Sequence, residues 1–130
     1  MSAEIKAAAP TGVNIIFENV GGTVLDAGLM NLARDARIIL CGLISEYNAA
    51  EKIGARNIWQ LIVHRATMKG FLIMDYVEQF GEAGLVMAAW SAEGKMRVDE
   101  DVQLGLENAY SAFMRLFAGA NTGKLILKIV

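Results

Sequence analysis

Ile15-Ile16-Phe17-Glu18-Asn19-Val20-Gly21-Gly22 decides the reading of this chain, together with Cys41-Gly42-Leu43-Ile44-Ser45-Glu46-Tyr47-Asn48 about twenty residues later. Each is an apolar, strand-like run that breaks into small and polar residues at its C-terminal end. Ligands of open parallel α/β sheets bind just outside the carboxyl ends of the strands. Two such ends in succession read as two walls of one site. The glycine-rich phosphate turn that usually accompanies them is absent from the sequence.

Outward from these runs, strand and helix patterns alternate. Residues 13–20 are β-branched and aromatic, with Pro10-Thr11-Gly12 before and Gly21-Gly22 after, which predicts a buried strand. Thr23 and Asp26 have capping-box spacing, and Leu25, Gly28, Leu29 and Leu32 follow helical spacing. Arg37 to Leu43 predicts a second buried strand. Asn57 is placed to cap a third element with Ile58, Leu61 and Ile62 on one face. Thr67 to Asp75 predicts a third strand despite Gly70. Tyr76, Phe80, Ala83, Met87 and Trp90 then form one apolar helix stripe ending near Gly94. Three alternations imply a parallel sheet with crossover helices.

The last segment differs. Met96 to Gln103 reads as strand or loop. Leu106, Tyr110, Phe113 and Phe117 mark a helix stopped by Gly119, and Lys124 to Val130 a final strand. A short segment of different character after a βαβ run suggests a return to another layer or domain. No internal repeat or low-complexity stretch is present.

The chain has 130 residues, the size of one domain. It is 55% hydrophobic and 20% charged, with a mean hydropathy of +0.38. No apolar run approaches the roughly 18 residues of a spanning helix. The apolar excess is therefore expected to be buried in a core or against neighbouring protein. Net charge is −2, and Lys and Arg are scattered, which argues against nucleic-acid binding. The first ten residues lack the apolar centre of a secretory signal. One cysteine excludes an internal disulfide and a cysteine-based zinc cluster, and a reducing cytoplasm is the expected setting.

Several residues could carry chemistry. Gly21-Gly22 lets a ligand approach a helix N-terminus, or simply makes a tight βα turn. Asn19 offers a hydrogen bond at the strand end, or an Asx turn. Cys41 has no activating partner and reads as a small core residue. His64, the one histidine, lies beside Arg65 and reads as a surface or interface residue rather than a base or a metal ligand. Tyr47 lies in a polar loop where packing does not require a phenol, so functional and structural roles stand level. Gly119-Ala120-Asn121-Thr122-Gly123-Lys124 superficially resembles a phosphate loop. It is one residue short, lacks the hydroxyl residue after the lysine and precedes a strand. The Met-rich and aromatic stripes are most simply core, and Asp99, Glu100 and Glu107 a solvated acidic face.

Four segments together carry a resemblance: Phe17–Gly22 (FENVGG), Cys41–Asn48 (CGLISEYN), Lys69–Tyr76 (KGFLIMDY) and Gly105–Ile129 (GLENAYSAFMRLFAGANTGKLILKI). In this order and spacing they resemble the C-terminal part of zinc-independent medium-chain dehydrogenase/reductases, in the NADPH-dependent alkenal, curcumin, prostaglandin and leukotriene reductase branch. The resemblance runs from about Ala7 to the end. It implies an α/β fold: the C-terminal half of a Rossmann domain, a doubly wound parallel sheet, over residues 1–95. A returning α+β tail over residues 96–130 would rejoin a GroES-like domain. It implies that the chain begins inside the Rossmann domain. The glycine turn for the pyrophosphate and the residues reading the adenosine 2′-phosphate would then lie outside it.

The resemblance also implies a reaction: hydride transfer from NADPH to the β-carbon of an α,β-unsaturated ketone or aldehyde. The isolated chain is expected to be inactive. Asn19 would face the nicotinamide. Cys41, Gly42, Leu43, Ile44, Ser45, Glu46 and Tyr47 would wrap the nicotinamide ribose, with the Tyr47 hydroxyl near the ribose or the reaction centre as the candidate catalytic group. Phe71, Leu72 and Ile73 would hold the carboxamide through backbone groups, and Asn121 would close over the cofactor. No metal ligand is implied. A homo-oligomer would join sheets around Phe71–Asp75. Two other readings are a quinone reductase of the same superfamily and a non-catalytic assembly module with an open sheet edge.

Overall fold

The computed structural model describes residues 1–51 and 54–129. The chain forms two compact units, Met1–Val77 and Glu78–Val130. The first opens with α1 (Ser2–Ala8), a helix the sequence pattern did not announce. Asn31, itself buried, ties it down by donating from Nδ2 to Ser2 Oγ at 2.8 Å. Then come β1 (Val13–Glu18), α2 (Gly22–Leu29), β2 (Leu32–Leu40), a 3₁₀ turn at Ile44–Glu46, α3 (Gln60–His64) and β3 (Thr67–Gly70). The three strands form a parallel sheet in the order β1-β2-β3.

Alternation along the strands sorts the residues. Ile16, Ile38 and Met68 point to the side where α2 contributes Leu25 and Leu29, and α3 contributes Leu61. Leu29 and Ile38 are the largest fully buried side chains. The odd-numbered β1 positions face the other way, and Ile15 and Phe17 remain 64% and 57% exposed. Parallel sheets normally carry cover on both faces; among the described residues of this unit only one face has it.

The second unit holds α4 (Phe80–Ala92), β4 (Glu100–Leu104), a 3₁₀ turn at Leu106–Asn108, α5 (Ala109–Ala118) and β5 (Lys124–Lys128). β4 and β5 pair in parallel with Glu100 opposite Lys124, so α5 is their crossover. Gly119 ends α5 in the left-handed region, as its position after the Leu106–Phe117 stripe predicts.

Several expectations need correction. β2 begins at Leu32 rather than Arg37 and stops at Leu40. Asp35 adopts φ 58 there, and the β1 register shifts between Val13 and Ile15, so the early part of the strand is a bulge. Leu32 therefore belongs to β2, not to the helix. Cys41 lies just past the strand and is half-buried rather than core. Thr23 and Asp26 form no capping box: Gly21 is the N-cap without a side-chain bond. Asp26 Oδ1 instead receives the N–H groups of Arg56 and Asn57, at 2.8 and 3.0 Å. Asn57 does not cap α3, because the chain enters that helix through turns and Trp59 is already helical. Ile58 and Ile62 are exposed, so only Leu61 of the expected face packs inward.

The third strand ends at Gly70, five residues short of Asp75. Phe71 still donates its N–H to Leu40 O at 2.9 Å, but Ile73–Gln79 turns into 3₁₀ helix kinked at Tyr76. Phe71–Asp75 is thus not a free strand edge; the edge is Thr67–Gly70. The stripe of Tyr76, Phe80, Ala83, Met87 and Trp90 is not core either. No residue of α4 is buried, and Trp90 is 48% exposed. With Glu82 its one charged residue, α4 is apolar all round, a pattern that ordinarily goes with complete burial. The final strand is described to Lys128; Val130 lies outside the described residues.

Candidate functional site

The first two strand ends are laced together beyond the regular sheet. Glu18 O accepts from Cys41 N at 2.8 Å and Gly42 N at 3.1 Å. Asn19 O accepts from Ile44 N at 3.0 Å. Val20 O accepts from Ser45 N at 3.0 Å and from Ser45 Oγ at 2.6 Å. Five donors of one segment thus end on three successive carbonyls of the other. The backbone has its partners without calling on solvent, and the surface is pre-formed.

Two glycines are required by this lacing. Gly21 has φ +80, and a Cβ there would lie 2.9 Å from Leu43 Cδ2. At Gly42 a Cβ would meet the Tyr47 hydroxyl at 3.1 Å and Asn19 O at 3.3 Å. The Tyr47 hydroxyl accepts from Leu43 N at 3.3 Å, so the ring folds back over its own loop while staying mostly exposed. Asn19, Gly42 and Tyr47 therefore meet at the crossing of the two walls. Beside them is a hollow of about 290 Å3 lined by Val20, Gly21, Gly22, Ser45 and Arg56, among others.

The structure brings Asn19 and the Cys41–Tyr47 segment together, as the sequence reading requires. Phe71, Leu72 and Ile73 follow the C-terminal end of β3, the same end of the parallel sheet. Leu72 and Ile73 are exposed. The Phe71 ring goes to the open sheet face, 5.9 Å edge-on from Phe17 and stacked 5.1 Å from Tyr76. With its N–H given to Leu40 O, what Phe71 offers at the strand end is its carbonyl. Asn121 belongs to the second unit, where its Nδ2 donates to Gly123 O at 2.9 Å.

Two features escaped the sequence reading. Glu18 is 3% exposed, and its Oε1 receives Val20 N at 2.5 Å and Gly21 N at 2.7 Å. Its signal was there: Glu18 lies two residues after Ile16, on the inward side of β1. In the second unit, Arg115 Nη2 donates to Asp101 Oδ2 at 2.6 Å and to Ala120 O at 3.0 Å. Thr122 N reaches the same Asp101 oxygen at 3.3 Å, so this pair pins the loop that carries Asn121. The Arg115 hydrogen bond, then that of Gln103, holds the Asp101 carboxyl below its ordinary pKa.

Known proteins are similar to this chain over nearly its whole length. The family described as zinc-binding dehydrogenase matches residues 2–127. The chain belongs to that family. A 2-alkenal reductase (NADP(+)-dependent) of Nicotiana tabacum is 40% identical over 129 residues, which are 99% of this chain and 38% of the relative. An NADPH-dependent curcumin reductase of Escherichia coli (strain K12) is 37% identical over 132 residues, 97% of this chain and 38% of the relative. The crystal structure of CurA in complex with NADPH from Vibrio vulnificus superposes with a TM-score of 0.86 at 40% identity, over 99% of this chain and 40% of that one. A quinone oxidoreductase of Pseudomonas syringae shares the fold, with a TM-score of 0.75 at 16% identity. These relatives bear out the α/β fold and the reductase branch that the four motifs resemble.

The chain spans about two fifths of the length of the relatives it matches. The family's description mentions zinc. Among the described residues no group of three or more His, Cys, Asp or Glu converges to hold a metal ion. The laced walls, the glycine at position 42 and the exposed Tyr47 leave a pre-formed polar ledge whose chemistry is compatible with the nicotinamide end of a dinucleotide.

Proposed function

We propose that this chain supplies the nicotinamide wall of an NADP(H)-dependent oxidoreductase that reduces the C=C bond of α,β-unsaturated ketones or aldehydes. The observation that carries the reading is the lacing of Glu18–Val20 to Cys41–Ser45, which builds one surface from the two strand ends. Asn19 and the Cys41–Tyr47 loop would contact the nicotinamide and its ribose. Backbone groups of Phe71, Leu72 and Ile73 would receive the carboxamide. When bound, reduced nicotinamide supplies the hydride to the β-carbon of the substrate. Negative charge then develops on the carbonyl oxygen, where a hydrogen-bond donor counts most. The Tyr47 hydroxyl, tied by one bond at 3.3 Å, is an available donor on this wall.

The adenosine and pyrophosphate contacts, which are charge-assisted and strong, would come from sequence that the longer relatives possess. On this account residues 1–95 are the Rossmann part and 96–130 the returning tail, and the chain alone is inactive. It should bind NADPH only in the millimolar range or weaker, roughly 4 kcal/mol of binding free energy or less. Titrating the intrinsic tryptophan fluorescence with NADPH measures this, and micromolar affinity would contradict it.

A second reading concerns assembly. Exposed Ile15 and Phe17 on the uncovered sheet face, and the β3 edge, favour association with another copy or with neighbouring protein. Among the described residues no helix is long and apolar enough to cross a membrane; a cytoplasmic location is part of this proposal. A quinone reductase remains the alternative chemistry, and a panel of enones and quinones separates the two.

A further inference from the structure

Glu18 occupies a position where an acid has no evident reason to be. It is the last residue of β1 and lies on the core side of the sheet. Burying a carboxyl group is costly unless it is hydrogen-bonded. Here one oxygen takes two consecutive backbone N–H groups, those of Val20 and Gly21. At an exposed turn, water would satisfy such donors equally well. The buried acid does what water cannot: it fixes the orientation of two successive peptide planes. Those planes connect Asn19 to Gly21, the N-cap of α2 at φ +80. The main-chain oxygen of the same residue holds Cys41 and Gly42. One residue therefore grips both walls, the first by its side chain and the second by its carbonyl.

We propose that Glu18 is a positioning residue: its carboxylate sets the Asn19–Gly21 backbone, so that Asn19 and the Cys41–Ser45 segment present one pre-formed surface to a reduced nicotinamide riboside. The proposal rests on the nicotinamide reading above. Glu18 touches no ligand itself and acts through Asn19. Its contribution to affinity is preorganisation, because an unbraced turn would have to be ordered on binding.

The test uses the full chain and reduced nicotinamide mononucleotide, which carries the nicotinamide riboside without the adenosine half. Glu18→Gln keeps an oxygen acceptor where Oε1 stands, whereas Glu18→Met keeps the length and removes the acceptor. Binding is measured by saturation-transfer NMR, and the brace by amide hydrogen exchange at Val20 and Gly21. Wild type and E18Q should bind alike. E18M should bind about tenfold more weakly, while the Leu29 and Ile38 methyl signals stay native. Val20 and Gly21 amides should be protected in wild type and exposed in E18M.

Equal binding by a folded E18M overturns the proposal and leaves the nicotinamide reading standing. No binding by wild type, with both amides protected, overturns the proposal; it leaves the nicotinamide reading to the assembled enzyme, because that reading already expects millimolar or weaker binding by the chain alone. Should E18M fail to fold, the wild-type amides and E18Q decide. Unprotected amides, or E18Q binding as weakly as expected for E18M, overturn the proposal; protected amides with unchanged E18Q binding support it.

Discussion

The Tyr47 hydroxyl lies over Gly42, so closely that a methyl group on Gly42 would stand 3.1 Å from the phenol oxygen. On the other side the same methyl would meet the Asn19 carbonyl at 3.3 Å, and that atom is held in the ladder by Ile44. The tyrosine is the neighbour that can give way. Gly42→Ala should therefore swing Tyr47 off Leu43 N and alter the ledge with little effect on the core, a stability change within about 1 kcal/mol. Reduced nicotinamide mononucleotide should bind several-fold more weakly. Thermal melting and NMR titration of the variant check both halves.

Tyr47→Phe removes only the hydroxyl of a side chain that is 62% exposed. Stability should change by no more than about 0.5 kcal/mol. If the hydroxyl donates toward the substrate oxygen, kcat should fall by about 10- to 100-fold in an active assembled enzyme, with KM for NADPH nearly unchanged. A fall in NADPH affinity at constant kcat would instead place the hydroxyl on the ribose.

Asp101 and Arg115 give the loop before β5 an acid dependence. The folded carboxyl has a lowered pKa, caused first by the Arg115 hydrogen bond. Its stabilising effect is thus full above the unfolded carboxylate value of about 3.9 and is lost as pH falls through the lower folded value. The Thr122 amide resonance, which reports the bond to Asp101, should shift below about pH 4. Asp101→Asn should abolish that shift. An unchanged titration in the variant would assign it to another group.

Exposed apolar surface predicts association. Phe17, Phe80, Leu85 and Trp90 are each more than two fifths exposed. Light scattering should show dimers or larger species that grow with concentration, and Phe17→Lys should reduce them. A monomer at all concentrations would count against the assembly reading.

How much of this was legible depends on the physics of each signal. The two strand ends were, because an apolar β-branched run ending in Asn-Val-Gly-Gly has few other readings. The third strand was read too long. Phe71, Leu72 and Ile73 are as apolar as a strand, and period alone cannot show that the chain turns into 3₁₀ helix after Gly70. The α4 stripe has helical spacing, but spacing does not say whether the cover comes from this chain. The Thr23–Asp26 spacing suggests a cap, but the partners of Asp26, Arg56 and Asn57, lie about thirty residues away. Glu18 sits at the end of an apolar run, and its parity with Ile16 places it inward. The role given to Asn121 came from resemblance alone.

The most direct measurement is a chimera in which residues 2–127 of this chain replace the matching segment of the Nicotiana tabacum 2-alkenal reductase. NADPH oxidation is followed with an enone and, separately, with a quinone. The account predicts enone-dependent oxidation that yields the saturated carbonyl compound. A folded chimera that binds NADPH yet turns over no enone, or reduces only quinones, would contradict it.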